Sequence, residues 1–221
     1  MFVADSRFKK GLLTLLCLPV LTTYAQYNTL NEWYLGPSAG ASLSSITLVP
    51  KLVDKLFTVG KTGGLTLRYI SENHFGLQTE LNVVQSGWEE DEQGLGQTAS
   101  YKRRLNLLDM PFMLHAYTGN KAFRSFLNLG ARFNYLLSEN ETIEPGTTHL
   151  IQHGKAVEKP FQYGVVGGGG VEVHLKRLVI GLDGRYTYYV SNLFSDAVGD
   201  DFNTSNLQLI TLNAYVLFRV R

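Results

Sequence analysis

The sequence predicts an all-β protein, an eight-stranded antiparallel up-and-down transmembrane β-barrel, and three observations predict it. The last stretch, Asn206 to Arg221, sets Gln208, Ile210, Leu212, Ala214, Val216, Phe218 and Val220 on one face against Thr211, Asn213, Tyr215, Leu217 and Arg219 on the other, the period of a strand. Segments of this kind recur, and their connections alternate long and short, the rhythm of an up-and-down barrel with both termini on one side. Gly is frequent at 22 and Pro rare at 6, while Tyr and Phe number 12 each, which suits tight turns and interfacial rings.

The first strand runs from Trp33 to Leu43, with Trp33, Leu35, Ala39, Ala41 and Leu43 opposite Tyr34, Gly36, Ser38, Gly40 and Ser42. Ser44 to Thr62 reads as a long connection, in which Leu52, Val53, Leu56 and Phe57 have the spacing of a short amphipathic helix. The second strand, Gly64 to Ile70, and the third, Phe75 to Gln85, flank a tight turn at Ser71 to His74; Arg68, Gln78, Glu80 and Asn82 occupy their polar faces. Gly87 to Ser100 is a polar connection. The fourth strand spans about Arg104 to Ala116, and Pro111, which lacks a ladder donor, predicts a bulge or weakened pairing. Gly119-Asn120 centres a hairpin turn into the fifth strand, Phe123 to Leu137. After the polar stretch Ser138 to Lys159 come the sixth strand, Phe161 to Leu175, and the seventh, Leu178 to Ser191, joined by Lys176-Arg177. Asn192 to Ser205 is the last loop.

Orientation of the faces decides between a membrane barrel and a soluble lipocalin-like cup. Eight strands enclose just enough space for side chains to fill, so the bulky apolar face does not fit inside, and a face rich in Gly and Ser makes a poor soluble exterior. Turned inward, the polar face supplies Arg68, Glu80, Asp109, Arg132, Glu172, Asp183 and Arg185, four acids and three arginines able to pair in a closed lumen. Turned outward, the apolar face meets lipid, and aromatics cluster towards the strand ends, at Trp33, Tyr34, Tyr135, Phe161, Tyr163, Tyr186 and Tyr188, as an interfacial girdle would. The expected location is the cell outer membrane, with outer-membrane lipid as surroundings.

Charge is balanced at 20 basic and 19 acidic residues, which offers no nucleic-acid surface. Residues 1–25 read as a secretory signal peptide: Arg7, Lys9 and Lys10, then the apolar Gly11 to Leu21, then Thr23-Tyr24-Ala25, with cleavage expected after Ala25. The barrel domain is then 26–221, and the single cysteine, Cys17, leaves with the signal, which excludes disulfides and thiolate chemistry from the mature chain.

Leu77-Gln78-Thr79-Glu80-Leu81 running to Gly87, Leu108-Asp109-Met110-Pro111-Phe112-Met113-Leu114, Leu129-Gly130 running to Leu136-Leu137, Gly164 to Gly170, and Arg185-Tyr186 before Asn192 resemble the successive strands of the PorT-like outer-membrane β-barrel family. The resemblance implies an outer-membrane barrel. It also implies envelope or secretion proteins as partners, since some relatives act in protein secretion across the outer membrane or in gliding.

No catalytic, cofactor or metal site is expected. Gly60-Lys61-Thr62 ends like a phosphate-binding loop, but Lys55 stands where that motif needs glycine. The run Gly167 to Gly170 reads as small residues relieving crowding in a narrow barrel. His149 and His153 could share a metal only on a helix and with a third ligand. His115 and His174 face inward, His174 two residues from Glu172; without a nucleophile, lumen packing is the preferred reading over a lipid hydrolase or acyltransferase. A plugged lumen is preferred over a narrow pore. Function is therefore expected in the external loops or in contacts with envelope proteins.

Overall fold

The alternation of apolar and polar side chains becomes a two-faced wall. The computed structural model describes residues 30–50, 54–91, 100–144, 150, 152–195 and 201–220; the expected signal peptide and His149 lie outside them. Eight strands follow in order: β1 (Glu32–Val49), β2 (Asp54–Glu72), β3 (Phe75–Asp91), β4 (Ser100–Gly119), β5 (Phe123–Ile143), β6 (Phe161–Leu175), β7 (Leu178–Asn192) and β8 (Thr204–Arg219). Each pairs antiparallel with its sequence neighbours, and β1 pairs with β8 to close the ring, so no strand edge is left open. β6 occupies the predicted bounds, and β7 and β8 lie within two residues of theirs at the ends that pair.

Turns at one end are short. In the β4–β5 turn the Asn120 side-chain oxygen accepts hydrogen bonds from the amides of Ala122 at 2.8 Å and Phe123 at 2.7 Å, which fixes the reversal locally. The other end carries the longer loops.

The first connection differs from expectation. β1 continues to Val49 and β2 begins at Asp54, so most of Ser44–Thr62 is strand. Leu56 and Phe57 are β2 residues with exposed side chains and no helix forms there; Leu52 and Val53 lie outside the described residues. Pairing on both sides accounts for this, with Ser44 opposite Thr58 on β2 and Val49 opposite Thr204 on β8. β3, β4 and β5 likewise run further toward the loop end than their membrane segments require. Around Pro111 the β4 register is unbroken. The β3–β4 ladder is interrupted between Thr79–Phe112 and Asn82–Asp109 without a shift, while the register shift lies at Asn106/Leu107.

One physical change explains why the extensions read as loops. In the membrane band apolar residues point outward, as Leu108, Met110, Phe112 and Leu114 do on β4. Toward the loop end the pattern inverts: Tyr101, Leu105 and Leu107 point inward while Lys102, Arg104 and Asn106 face out. There the outer wall meets water, so apolar groups gain by turning inside. The interior is thus layered. Ile46, Leu48, Val84, Trp88, Tyr101, Leu105, Leu107, Tyr189, Leu193, Phe194, Phe202, Leu207 and Leu209 form an apolar core at the loop end. Tyr34, Ile70, Tyr117, Phe126, Val179, Tyr215 and Leu217 form a smaller one at the turn end. Polar groups occupy the middle.

Candidate functional site

The middle layer is built from inward positions of seven strands, β2 to β8. Arg68 on β2 reaches across the lumen to Glu172 on β6 at 2.5 Å, while its Nε donates to Gln78 at 2.8 Å and its Nη2 to the Tyr215 hydroxyl at 3.1 Å. Arg185 on β7 reaches the opposite wall in the same way, donating to both oxygens of Glu80 on β3 at 2.8 and 2.7 Å and to Asp183 at 2.5 Å. Gln78 joins the two groups by donating to Glu80 at 2.7 Å. Arg132 on β5 makes a two-pronged contact with Asp109 at 2.7 and 2.9 Å and donates to Thr187 at 2.9 Å. All seven charged residues named from the sequence therefore lie buried inside the barrel and each contacts an opposite charge. Opposite-wall pairs act as cross-braces, because a buried charge is tolerated only with its partner in place.

The neutral members of this network are less visible in sequence. Asn82 donates to Glu80 at 2.9 Å, Asn213 to Asp183 at 3.1 Å and Tyr215 to Glu172 at 2.9 Å. Their position on the same inward face is the signal that could have found them. Glycines supply the room: a Cβ on Gly181 would lie 2.3 Å from the Tyr215 ring, and one on Gly168 would lie 2.9 Å from Cγ of Arg185.

The two inward histidines are held in packing contacts. His174 Nε2 lies 2.7 Å from Glu172, the acid that Arg68 and Tyr215 already engage. His115 Nδ1 lies 2.8 Å from the Asn128 side-chain oxygen, and its ring packs on Phe126 and near Tyr117.

At the loop end a second constellation closes the mouth, and sequence reasoning missed it. Arg103 is buried between the rings of Trp88 and Phe194, at 5.4 and 5.5 Å from their centres. Its guanidinium donates to Glu139 at 2.6 Å and to the Lys155 carbonyl at 2.6 Å, and pairs with Glu141 at 2.9 Å. Beside it Glu90 accepts from Lys55, from Trp88 at 3.1 Å and from Gln152 at 3.0 Å, and His153 Nε2 lies 2.9 Å away. Burial pushes the Glu90 carboxyl upward, but the Lys55 ammonium and the hydrogen bonds from Lys55, His153 and Gln152 outweigh it and hold the group below the usual carboxylate range. The His153 ring stacks on Tyr101 at 3.9 Å, so this histidine is engaged by an acid and a ring. Segment 152–157 and Phe194 are thereby tied down over the apolar core. The signal was an inward arginine in a strand extension, hidden because the extension read as loop.

With the closed ring, the outward apolar band and the paired lumen established, the sequence itself decides the family: residues 24–195 match the model of the outer membrane protein beta-barrel domain. The chain belongs to that family. As a member of it, this outer-membrane barrel is placed in the outer membrane, and its ring agrees in fold with a solved outer-membrane protein. OprG from Pseudomonas aeruginosa is 14% identical, with 89% of this chain and 99% of that one covered and a TM-score of 0.52. Ail, the attachment invasion locus protein of Yersinia pestis, is 13% identical, with 85% and 99% covered and a TM-score of 0.42. The outer membrane protease OmpT from Escherichia coli is 9% identical, with 85% and 96% covered and a TM-score of 0.41. At 14% identity the likeness to OprG is one of fold alone. No curated protein matches the sequence.

Proposed function

We propose that this outer-membrane barrel is a plugged scaffold that acts through its loop end, as a partner in an envelope secretion or assembly complex of the kind the PorT-like resemblance implies. In this reading the chain is exported by the signal peptide of residues 1–25, cleaved after Ala25, and the loops face outward. The observation that carries it is the loop-end constellation: Arg103 and Glu90 hold segment 152–157 and Phe194 as a preformed surface over a filled interior. A preformed surface binds a partner without first losing loop entropy. A filled lumen, cross-braced by Arg68–Glu172 and Arg185–Glu80, supports a plug in place of a pore.

Purification from native membranes in gentle detergent, followed by native mass determination, tests the reading. A protein retained at fixed stoichiometry, and released by Arg103→Ala, is the expected result. Recovery of the barrel alone, with discrete conductance steps in planar bilayers, would replace the reading with a pore. A lipid-modifying enzyme would instead show as altered lipid species in cells lacking the protein, restored by the wild type and not by His174→Ala.

A further inference from the structure

Two cations on the outer wall stand apart from the rest of the loop half. Lys55, Lys102, Arg103 and Lys155 each meet a carboxylate, in Glu90, Glu89, Glu139 and Asp201 respectively. Lys61 on β2 and Arg104 on β4 are exposed on the outward face and have no ion-pair or hydrogen-bond partner among the described residues. They flank one strip of β3. Thr62 pairs with Val84, which sets Lys61 beside Gln85, while Gln85 pairs with Asn106 and Gly87 with Arg104. From two strand spacings and two residues along the strand, the Cα atoms of Lys61 and Arg104 are roughly 12 Å apart. Both side chains are long enough to converge over Gly87, which presents no side chain of its own. Gln85 supplies an amide between them, and beside it the Asn106 amide donates to the Ser138 hydroxyl at 2.9 Å, leaving its second N–H and its oxygen.

Below this strip the wall is apolar and bulky: Leu65, Leu81, Val83, Leu108 and Met110 are all exposed. A lysine facing lipid is costly at the bilayer midplane and nearly free of cost at the interface. An outward lysine bordered by Val59 and Leu65 therefore belongs at headgroup depth, with its stem on apolar surface and its ammonium turned toward the polar layer.

We infer that Lys61 and Arg104, with Gln85 and Asn106 between them, form a seat for the phosphorylated headgroup of a lipid in the loop-side leaflet. The acyl chains of that lipid run down over Val83, Leu108 and Met110. The Arg104 guanidinium matches two phosphate oxygens with parallel N–H donors, and the Lys61 ammonium supplies a compact second charge. A protein segment bearing carboxylates is the competing occupant. The lipid is favoured because the two cations border a continuous apolar slope, the same juxtaposition of charge and hydrocarbon that a lipid carries. Phosphate chemistry is shared by outer-leaflet glycolipids and by glycerophospholipids.

The test is native mass spectrometry of the full barrel in detergent, titrated separately with lipid A, phosphatidylglycerol and diacylglycerol. Wild type should retain at least one of the two phosphorylated lipids over diacylglycerol. Lys61→Gln/Arg104→Gln should weaken that retention at least tenfold, and Lys121→Gln, an exposed cation at the turn end, should leave it unchanged. Preference for lipid A would assign the seat to outer-leaflet glycolipid, and preference for phosphatidylglycerol to glycerophospholipid; either upholds it. Equal retention of diacylglycerol, equal loss in the Lys121 variant, or wild-type retention in the double variant would overturn it. Unchanged thermal unfolding of the double variant, expected for two exposed side chains, separates loss of the seat from loss of the fold.

Discussion

Replacing Arg132 by leucine isolates the energetics of the polar lumen. Arg132 is 2% exposed and Asp109 fully buried, and the guanidinium meets the carboxylate through two hydrogen bonds of 2.7 and 2.9 Å. Leucine removes both, along with the 2.9 Å bond to Thr187, and strands a carboxylate whose remaining hydrogen bond among the described residues is from the Tyr189 hydroxyl at 3.5 Å. Removing one member of a buried ion pair costs about 3–5 kcal/mol, because the other is left charged without compensation. Every 1.4 kcal/mol is tenfold, so the folded-to-unfolded ratio should fall by about two to three and a half powers of ten. Replacing both residues, Arg132→Leu with Asp109→Leu, should recover most of the loss, since no buried charge is then left alone. Urea unfolding of the barrel reconstituted in lipid vesicles, read by tryptophan fluorescence and by the mobility difference between folded and heated forms, measures each step. A single variant within about 1 kcal/mol of wild type, or a double variant as unstable as the single, would refute the reading of Arg132 and Asp109 as a buried ion pair that stabilises the lumen.

Two further outcomes concern the loop end. Arg103→Ala should raise protease cleavage within 152–157 at least tenfold while leaving unfolding of the membrane band unchanged, because the lost contacts to Glu139, Glu141 and the Lys155 carbonyl lie above that band; equal cleavage in both proteins would remove Arg103 from its role. Glu90 has a depressed carboxyl pKa, so its contribution is present above the ordinary value of about 4.3 and disappears as pH falls through the lower folded value. Cleavage of the same segment should therefore accelerate in acid. Glu90→Gln should cleave faster at neutral pH and lose the acid dependence, and an unaltered pH profile in that variant would sink the assignment.

The seven lumen charges were legible because each sits at an inward position of a strand whose outward neighbours are apolar, as Asp183 and Arg185 do between Leu182, Gly184 and Tyr186 on β7. Period alone placed them on one face. It could not pair them: Arg68 and Glu172 are separated by 104 residues, and Arg185 and Glu80 by 105, so their meeting depends on ring closure bringing β2 opposite β6 and β3 opposite β7. Reading apolar-out and polar-in along the whole chain also made the extensions of β1 and β4 look like loops. In β1 and β4 the alternation persists with its sign reversed, because the outer wall there meets water in place of hydrocarbon, whereas β2 keeps Phe57 and Val59 outward.

By itself, then, the sequence determined the class of fold, the faces of the membrane strands and the charges that must be sheltered, since a side-chain period of two is a local property of extended backbone. Tertiary structure decided the partners of those charges, the reach of each strand beyond the bilayer, and the assembly of Arg103, Glu90, Trp88 and Phe194 into a cap. These depend on shear and closure around the barrel, which bring together residues far apart in the chain and are written in no local pattern.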